Sequence, residues 1–170
     1  MLLIEPTMEY DKQIQAFREE FLNSGDMDGS SHLRHFLKTD EWIRHTEEYK
    51  NSDSPNGFVR TTQYIFVREN DKKVVGVLQI RHRLNDVLEK FGGYIGYSIA
   101  PSERKKGYGT LMLKTALSKC KMLGIKKLLV TCIEGNEGSK RVILNNGGKY
   151  ESTVYWEERK CNIERYWIDL

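Results

Sequence analysis

Strand, glycine loop, helix and buried strand follow one another between Gly93 and Ile133, and that order constrains the fold more than any other feature of the chain. The run Gly93-Tyr94-Ile95-Gly96-Tyr97-Ser98-Ile99-Ala100 reads as a strand closed by Pro101. Beyond the loop, Leu113, Ala116, Leu117, Cys120 and Leu123 recur at helical spacing as a core stripe, and Gly124 stops the pattern as a C-terminal cap residue would. Lys127 to Ile133 is short and nearly all apolar, as expected of a strand covered on both faces and parallel to its predecessor. A βαβ unit of this kind places the chain in the α/β class with a mixed sheet.

The remaining segments add elements on either side. Leu2-Leu3-Ile4 predicts a first strand, and Ile14, Phe17, Phe21 and Leu22 form one stripe of a helix over Tyr10 to Leu22. The loop from Asn23, rich in Gly, Asp and Ser between Ser24 and Ser31, reads as a plain surface connection. A second helix over Asp40 to Tyr49 is anchored by Trp42, Ile43 and Tyr49 and gives way to the turn-rich Asn51 to Gly57. Tyr64 to Val67 and Val74 to Ile80, joined across Asn70-Asp71-Lys72, predict a hairpin. Asn136 opens a helix to about Asn145, ended by Asn146-Gly147-Gly148, and two late strands span Tyr150 to Trp156 and Ile163 to Ile168. At 170 residues, with no internal repeat, a single domain (1–170) is expected.

Composition narrows the functional classes. The 27 basic and 24 acidic residues are interleaved and leave a net charge of only +3, which gives no case for a nucleic-acid or membrane partner. Cys120, Cys132 and Cys161 cannot pair completely and show no metal-ligand spacing, so neither a disulfide framework nor a structural metal is expected. The N-terminus turns charged at Glu5 and reads as no signal peptide, and no apolar stretch is long enough to span a bilayer, so a cytoplasmic location is expected.

The one local excess of positive charge is Arg104-Lys105-Lys106, followed by Gly107-Tyr108-Gly109-Thr110 at the start of the long helix. The first amides of a helix have no intrahelical acceptor, the macrodipole adds partial positive charge, and glycines let anion oxygens approach the backbone. A Walker loop does not fit, because Thr110 follows Gly109 with no lysine between them. A Rossmann fingerprint does not fit either, because Met112 stands where its third glycine belongs.

Arg104, Gly107 and Gly109, after a strand ending near Pro101, resemble the signature of the GNAT superfamily of acetyl-CoA-dependent N-acyltransferases. A second element, Asn136, Ser139 and Gly147 after the following strand, matches in order, and the resemblance runs from about Val74 to the C-terminus. It implies a three-layer α+β fold with a mixed, mostly antiparallel sheet, a splayed parallel pair and helices on both faces. By the same resemblance Arg104 to Thr110 hold the coenzyme A pyrophosphate, Tyr97, Ser98 and Ile99 pair with the pantetheine arm, Asn136 bonds that arm, and Ser139 lies near the thioester sulfur. Residues 74–170 would form the cofactor core, and residues 1–60 would cover the acceptor. Gln79 to Asn85 and Arg165 to Leu170 look like a bacterial subgroup of the family.

Acetyl transfer to an amine needs an oxyanion site, a proton for the leaving thiolate and a base. The resemblance assigns the oxyanion to the Ile99 amide. The tyrosine acid of many members is replaced by Ile143, leaving Ser139 as its substitute. For the base, His82 at a strand end is the first candidate and Glu134 the second. His32, His35 and His45 read as helix-surface residues, and Arg81 and Arg83 either as receivers of an acidic acceptor or, the preferred reading, as solvated strand-end charges. The expected partners are acetyl-CoA and a primary amine on a small molecule or protein N-terminus, with the chain a monomer or homodimer. A non-catalytic acyl-CoA sensor is the main alternative, and a nucleic-acid binder is the weakest.

Overall fold

A computed structural model describes every residue except 23, 24, 26 and 53–56. Asn23, Ser24 and Asp26 of the first loop, and Asp53 to Asn56 of the turn-rich linker, therefore lie outside the described residues. The chain forms β1 (Leu2–Ile4), α1 (Asp11–Glu20), α2 (Thr39–Asn51), β2 (Thr61–Arg68), β3 (Lys73–Arg81), β4 (Ile95–Ile99), α3 (Tyr108–Met122), β5 (Lys127–Ile133), α4 (Glu137–Asn145), β6 (Lys149–Trp156) and β7 (Cys161–Asp169). One antiparallel sheet runs β1-β2-β3-β4 and a second runs β5-β7-β6. The two meet at β4 and β5, where the Tyr94 amide donates to Leu129 O at 2.8 Å. Beyond that bond no ladder joins β4 to β5 among the described residues, so the expected pair exists as a split between two sheets.

Strand alternation divides the core in two. Leu78 and Ile80 of β3 pack with Met112, Leu113, Ala116 and Cys120 of α3 and with Leu128, Val130 and Ile143. On the opposite face Ile65, Val67 and Val77 meet Ile14, Phe17, Phe21 and Trp42 from α1 and α2. β2 is buried along nearly its whole length because both faces are covered. Two predicted anchors miss the core: Leu22 is 49% exposed and Leu123 is 39% exposed, each just past the end of its helix, where the helical phase no longer holds. Of the late aromatics, Tyr166 is buried and Tyr155 exposed, while Trp156 stacks on Phe91 at 4.7 Å.

The glycine-rich segment before α2 is not a plain surface loop in its second half. Met27, Gly29 and Ser30 are buried, Ser30 O accepts from Trp42 Nε1 at 2.9 Å, and Gly29 O accepts from Gln63 Nε2 at 2.9 Å. Asp28 O accepts from Ser98 Oγ at 2.8 Å, tying the segment to β4. Gly29 has φ +70°, and a Cβ there would lie 2.1 Å from the Gly96 carbonyl carbon, so only glycine lets the two backbones meet. Polarity misled the reading because backbone carbonyls of the segment are satisfied by side chains from elsewhere. No helix among the described residues is long and apolar enough to cross a membrane.

Candidate active site

The register of β3 against β4 decides what faces the split. Arg81 N–H donates to Tyr94 O at 2.8 Å and Ala100 N–H to Val75 O at 2.9 Å, so even-numbered positions of β4 are spent on β3. In an antiparallel ladder the intervening residues point their backbone groups the other way. The amides and carbonyls of Tyr97 and Ile99 therefore edge the opening toward β5, where an extended arm with amide groups would add as a strand. Side chains alternate across the sheet: Tyr97 opposes Leu78 and Ile99 opposes Gly76 on the α3 face, while Gly96 and Ser98 face the α1–α2 side.

At the far end of β4 the chain turns into α3 through Gly107, the residue preceding the helix, with φ +83° and open space where a Cβ would be. That left-handed turn aims the first helix amides outward. Gly109 serves packing instead: a Cβ there would sit 3.0 Å from Val142 Cγ2, so its absence lets α4 close on α3. Lys105 also takes a left-handed φ of +62°. The cations beside these glycines are partly committed to the scaffold. Arg104 Nε donates to Ile99 O at 3.2 Å and its guanidinium lies 5.7 Å from the Phe21 ring centroid, while Lys106 Nζ reaches Glu103 at 2.9 Å.

Glu103, only 4% exposed, is the hub of this end. It accepts from Arg68 at 2.9 Å, Lys73 at 3.0 Å and Lys106 at 2.9 Å. Burial alone would raise its pKa, but the hydrogen bonds from Lys106, Lys73 and Arg68 outweigh it and hold the carboxyl at about 2. Arg68 also donates to Tyr108 Oη at 3.1 Å, linking the hub to the first helical residue of α3. Sequence reading missed Glu103; its place between the strand-ending proline and the basic run was the available signal.

Across the split, Asn136 caps α4, with Oδ1 accepting from the Ser139 amide at 3.1 Å. Ser139 Oγ lies 2.8 Å from Tyr97 Oη, so two hydroxyls from opposite sides of the opening meet. Burial drives the Tyr97 phenol pKa upward, with the Ser139 hydrogen bond opposing, and the ring stays protonated at neutral pH. Ile143 is fully buried and packs into the core. α4 is held at both ends: Lys140 Nζ reaches Glu164 at 2.9 Å, and Asn146 Nδ2 donates to Thr110 O at 3.1 Å.

The two base candidates are not brought together with this cluster equally. Glu134 is exposed at the carboxyl end of β5, its Oε2 accepting from Asn162 at 2.9 Å. His82 Nε2 pairs with Thr62 Oγ1 at 2.8 Å just past the end of β3. It lies six residues along the chain from Gly76, the partner of Ile99, which is ~20 Å at the rise of a strand.

A cavity of about 510 Å³ opens on the other sheet face, over Gln79 and Arg81 and under the Asp28 to Arg34 segment. Gln79 opposes Gly96, which places this cavity directly across β4 from the Tyr97 edge. His32, His35 and His45 all line it rather than decorating helix surfaces. Arg81 is no solvated charge: its Nη1 donates to Gly92 O at 3.0 Å and Gly93 O at 2.9 Å, and burial pulls its pKa down to about 10 against the opposing pull of Asp28.

Residues 28–147 match the model of the acetyltransferase (GNAT) family. A search of curated proteins by sequence returns no match. Among solved structures, a GNAT-family acetyltransferase from Streptococcus pneumoniae aligns over 99% of this chain and 99% of its own at 18% identity and a TM-score of 0.67. A point mutant of spermidine N-acetyltransferase SpeG from Vibrio cholerae aligns over 99% and 95% at 13% identity and TM-score 0.66. RimL, a ribosomal alpha-N-protein acetyltransferase in complex with coenzyme A, aligns over 99% and 93% at 15% identity and TM-score 0.67. At these identities the structural likeness speaks for the fold, and the family match covers most of the chain. The helix amides after Gly107, together with the Tyr97 backbone and the Ile99 amide on the edge that β3 does not use, suit a pyrophosphate and a pantetheine arm. The chain belongs to the acetyltransferase (GNAT) family, with acetyl-CoA as its acetyl donor.

Proposed function

We propose that this protein transfers the acetyl group of acetyl-CoA to a primary amine, on a small molecule or a protein N-terminus, by direct attack within a ternary complex. The observation that carries the reading is the two-sided access to β4. The cofactor edge of Tyr97 and Ile99 and the anion-binding start of α3 share one sheet face, while the 510 Å³ cavity lies across Gly96 on the other. Donor and acceptor then meet at the split without sharing an entrance. The N-terminal 60 residues supply much of the acceptor wall.

In this reading the amides from Tyr108 to Thr110 receive the pyrophosphate, with Lys105 adding charge from the rim. Asn136 keeps its role as the α4 cap while presenting its amide to the arm. The Ile99 amide points into the opening and receives the developing oxyanion. Ser139, hydrogen-bonded to Tyr97, is the nearest hydroxyl to the departing sulfur. Glu134 at the rim takes the ammonium proton, since His82 is too far along β3 to reach the same point.

Release of free thiol from acetyl-CoA, followed against a panel of amines, tests the proposal. Gly107→Asp places charge and bulk where phosphate would sit, and loss of coenzyme A binding with an intact fold is the expected result. Unchanged affinity would sink the loop assignment. Tight cofactor binding with no transfer to any amine would identify a sensor module instead.

A further inference from the structure

Resting on the acetyltransferase reading, we propose that the cavity across Gly96 selects a small amine that also carries a carboxylate, an amino acid with an apolar or aromatic side chain, and turns polyamines away. Its volume of about 510 Å³ suits a ligand of that size. Three arginines line it, Arg34, Arg81 and Arg159, against one aspartate, Asp28. The surplus of two positive charges exists before any histidine is protonated.

The position of Arg81 gives that surplus direction. Its guanidinium is anchored through Nη1 to the Gly92 and Gly93 carbonyls in the turn before β4, and Arg81 lines the cavity with Gln79. Burial lowers its pKa to about 10, so the cation persists at neutral pH in surroundings that solvate it poorly. A ligand carboxylate would replace lost hydration by charge-assisted hydrogen bonds. A polycation would bring its charges against three guanidinium groups and lose affinity.

Another part of the lining is aromatic. His45 packs on Tyr49 with ring centroids 4.7 Å apart, and Tyr49 on Phe58 at 5.5 Å. Burial, and His32 secondarily, lowers the His45 pKa, keeping the imidazole neutral near pH 7. An apolar side chain lies against this wall while the carboxylate reaches the arginines and the amine is left toward Gly96 and the split.

The test pairs each amino acid with its decarboxylated analogue: phenylalanine with phenethylamine, leucine with isoamylamine, and methionine with 3-(methylthio)propylamine, with spermidine as the polycation. Acetyl transfer is measured at saturating acetyl-CoA, and binding to the coenzyme A complex by calorimetry. The amino acid of at least one pair should exceed its analogue about tenfold in kcat/KM, the value of one charge-assisted hydrogen bond, with spermidine weakest. Arg159→Gln should lower that ratio by raising KM for the amino acid more than for the amine. Preference for the decarboxylated amines or spermidine, or absence of both binding and transfer for every amino acid, would overturn the proposal. Amino acids that bind with carboxylate preference but receive no acetyl group would support the cavity assignment and sink the transfer reading.

Discussion

Replacing Glu103 by glutamine isolates the electrostatic hub beneath the loop that leads into α3. The carboxylate is held at about 2 against an ordinary value of 4.5, a gap worth at most ~3 kcal/mol. Its three partners Arg68, Lys73 and Lys106 have side chains 23%, 35% and 51% exposed, and screening by water and salt brings the contribution to about 1–2 kcal/mol. The sign follows from a depressed carboxyl pKa: the stabilisation is fully present above 4.5 and is lost as pH falls from there toward about 2. Urea unfolding of wild type and Glu103→Gln, followed by tryptophan fluorescence, should show the variant about 1–2 kcal/mol less stable near pH 7 with an unchanged slope. The difference should narrow below pH 4.5 and also in about 1 M salt. Equal stabilities near neutrality, or a difference constant down to about pH 3, would refute the account.

Gly29→Ala puts a Cβ 2.1 Å from the Gly96 backbone at φ +70°; a loss of about 3 kcal/mol or more is expected in the same unfolding assay, because backbone cannot yield as a side-chain tip does. The thiols of Cys120 and Cys132 are pushed up to about 12 by burial, so a thiol reagent near pH 8 should label only Cys161 in the folded protein and all three after denaturation. Tyr97→Phe removes one of two meeting hydroxyls without changing ring volume, and kcat is expected to fall about tenfold with coenzyme A affinity retained. An unchanged kcat would remove the phenol from the reaction.

The elements most readable in the sequence were those whose period matched burial. β1 and β5 coincide with the predicted runs, and α3 begins at the glycine loop as expected. The loop before α3 was legible as a special turn because its glycines do work that no other residue does, one in conformation and one in packing. The cavity over Gln79 and Arg81 was not, because its geometry comes from long-range pairing. Gly29 against Gly96, Ser98 onto Asp28 O, and Gln63 onto Gly29 O join segments far apart in sequence. The histidines of α2 and the loop before it looked like surface residues for the same reason: a cavity exists only once β3 lies beneath them. The Glu103 hub draws two of its three cations from β2 and β3, so its position between Pro101 and the basic run hints at only the Lys106 pairing.

The substitution of Ile143 for the family's tyrosine then takes on a structural meaning. Ser139 and Ile143 are one turn apart on the same helical face, and Ile143 fills core that Gly148 approaches too closely for any larger group: a Cβ on Gly148 would already lie 2.4 Å from its Cγ2. A phenol at this helix position would have to displace that packing. The ring instead comes from β4, as Tyr97, and its hydroxyl meets Ser139 from across the split. With its pKa driven up by burial, Tyr97 is a poor full donor to a thiolate whose own pKa is about 8.5. Its part in the proposed reaction is to hold Ser139 in place, so that Ser139 gives its hydrogen bond to the sulfur while the net proton arrives from the attacking nitrogen. In the proposed reaction a strand tyrosine with a helix serine would cover the task of one helix tyrosine and leave the core beneath α4 apolar.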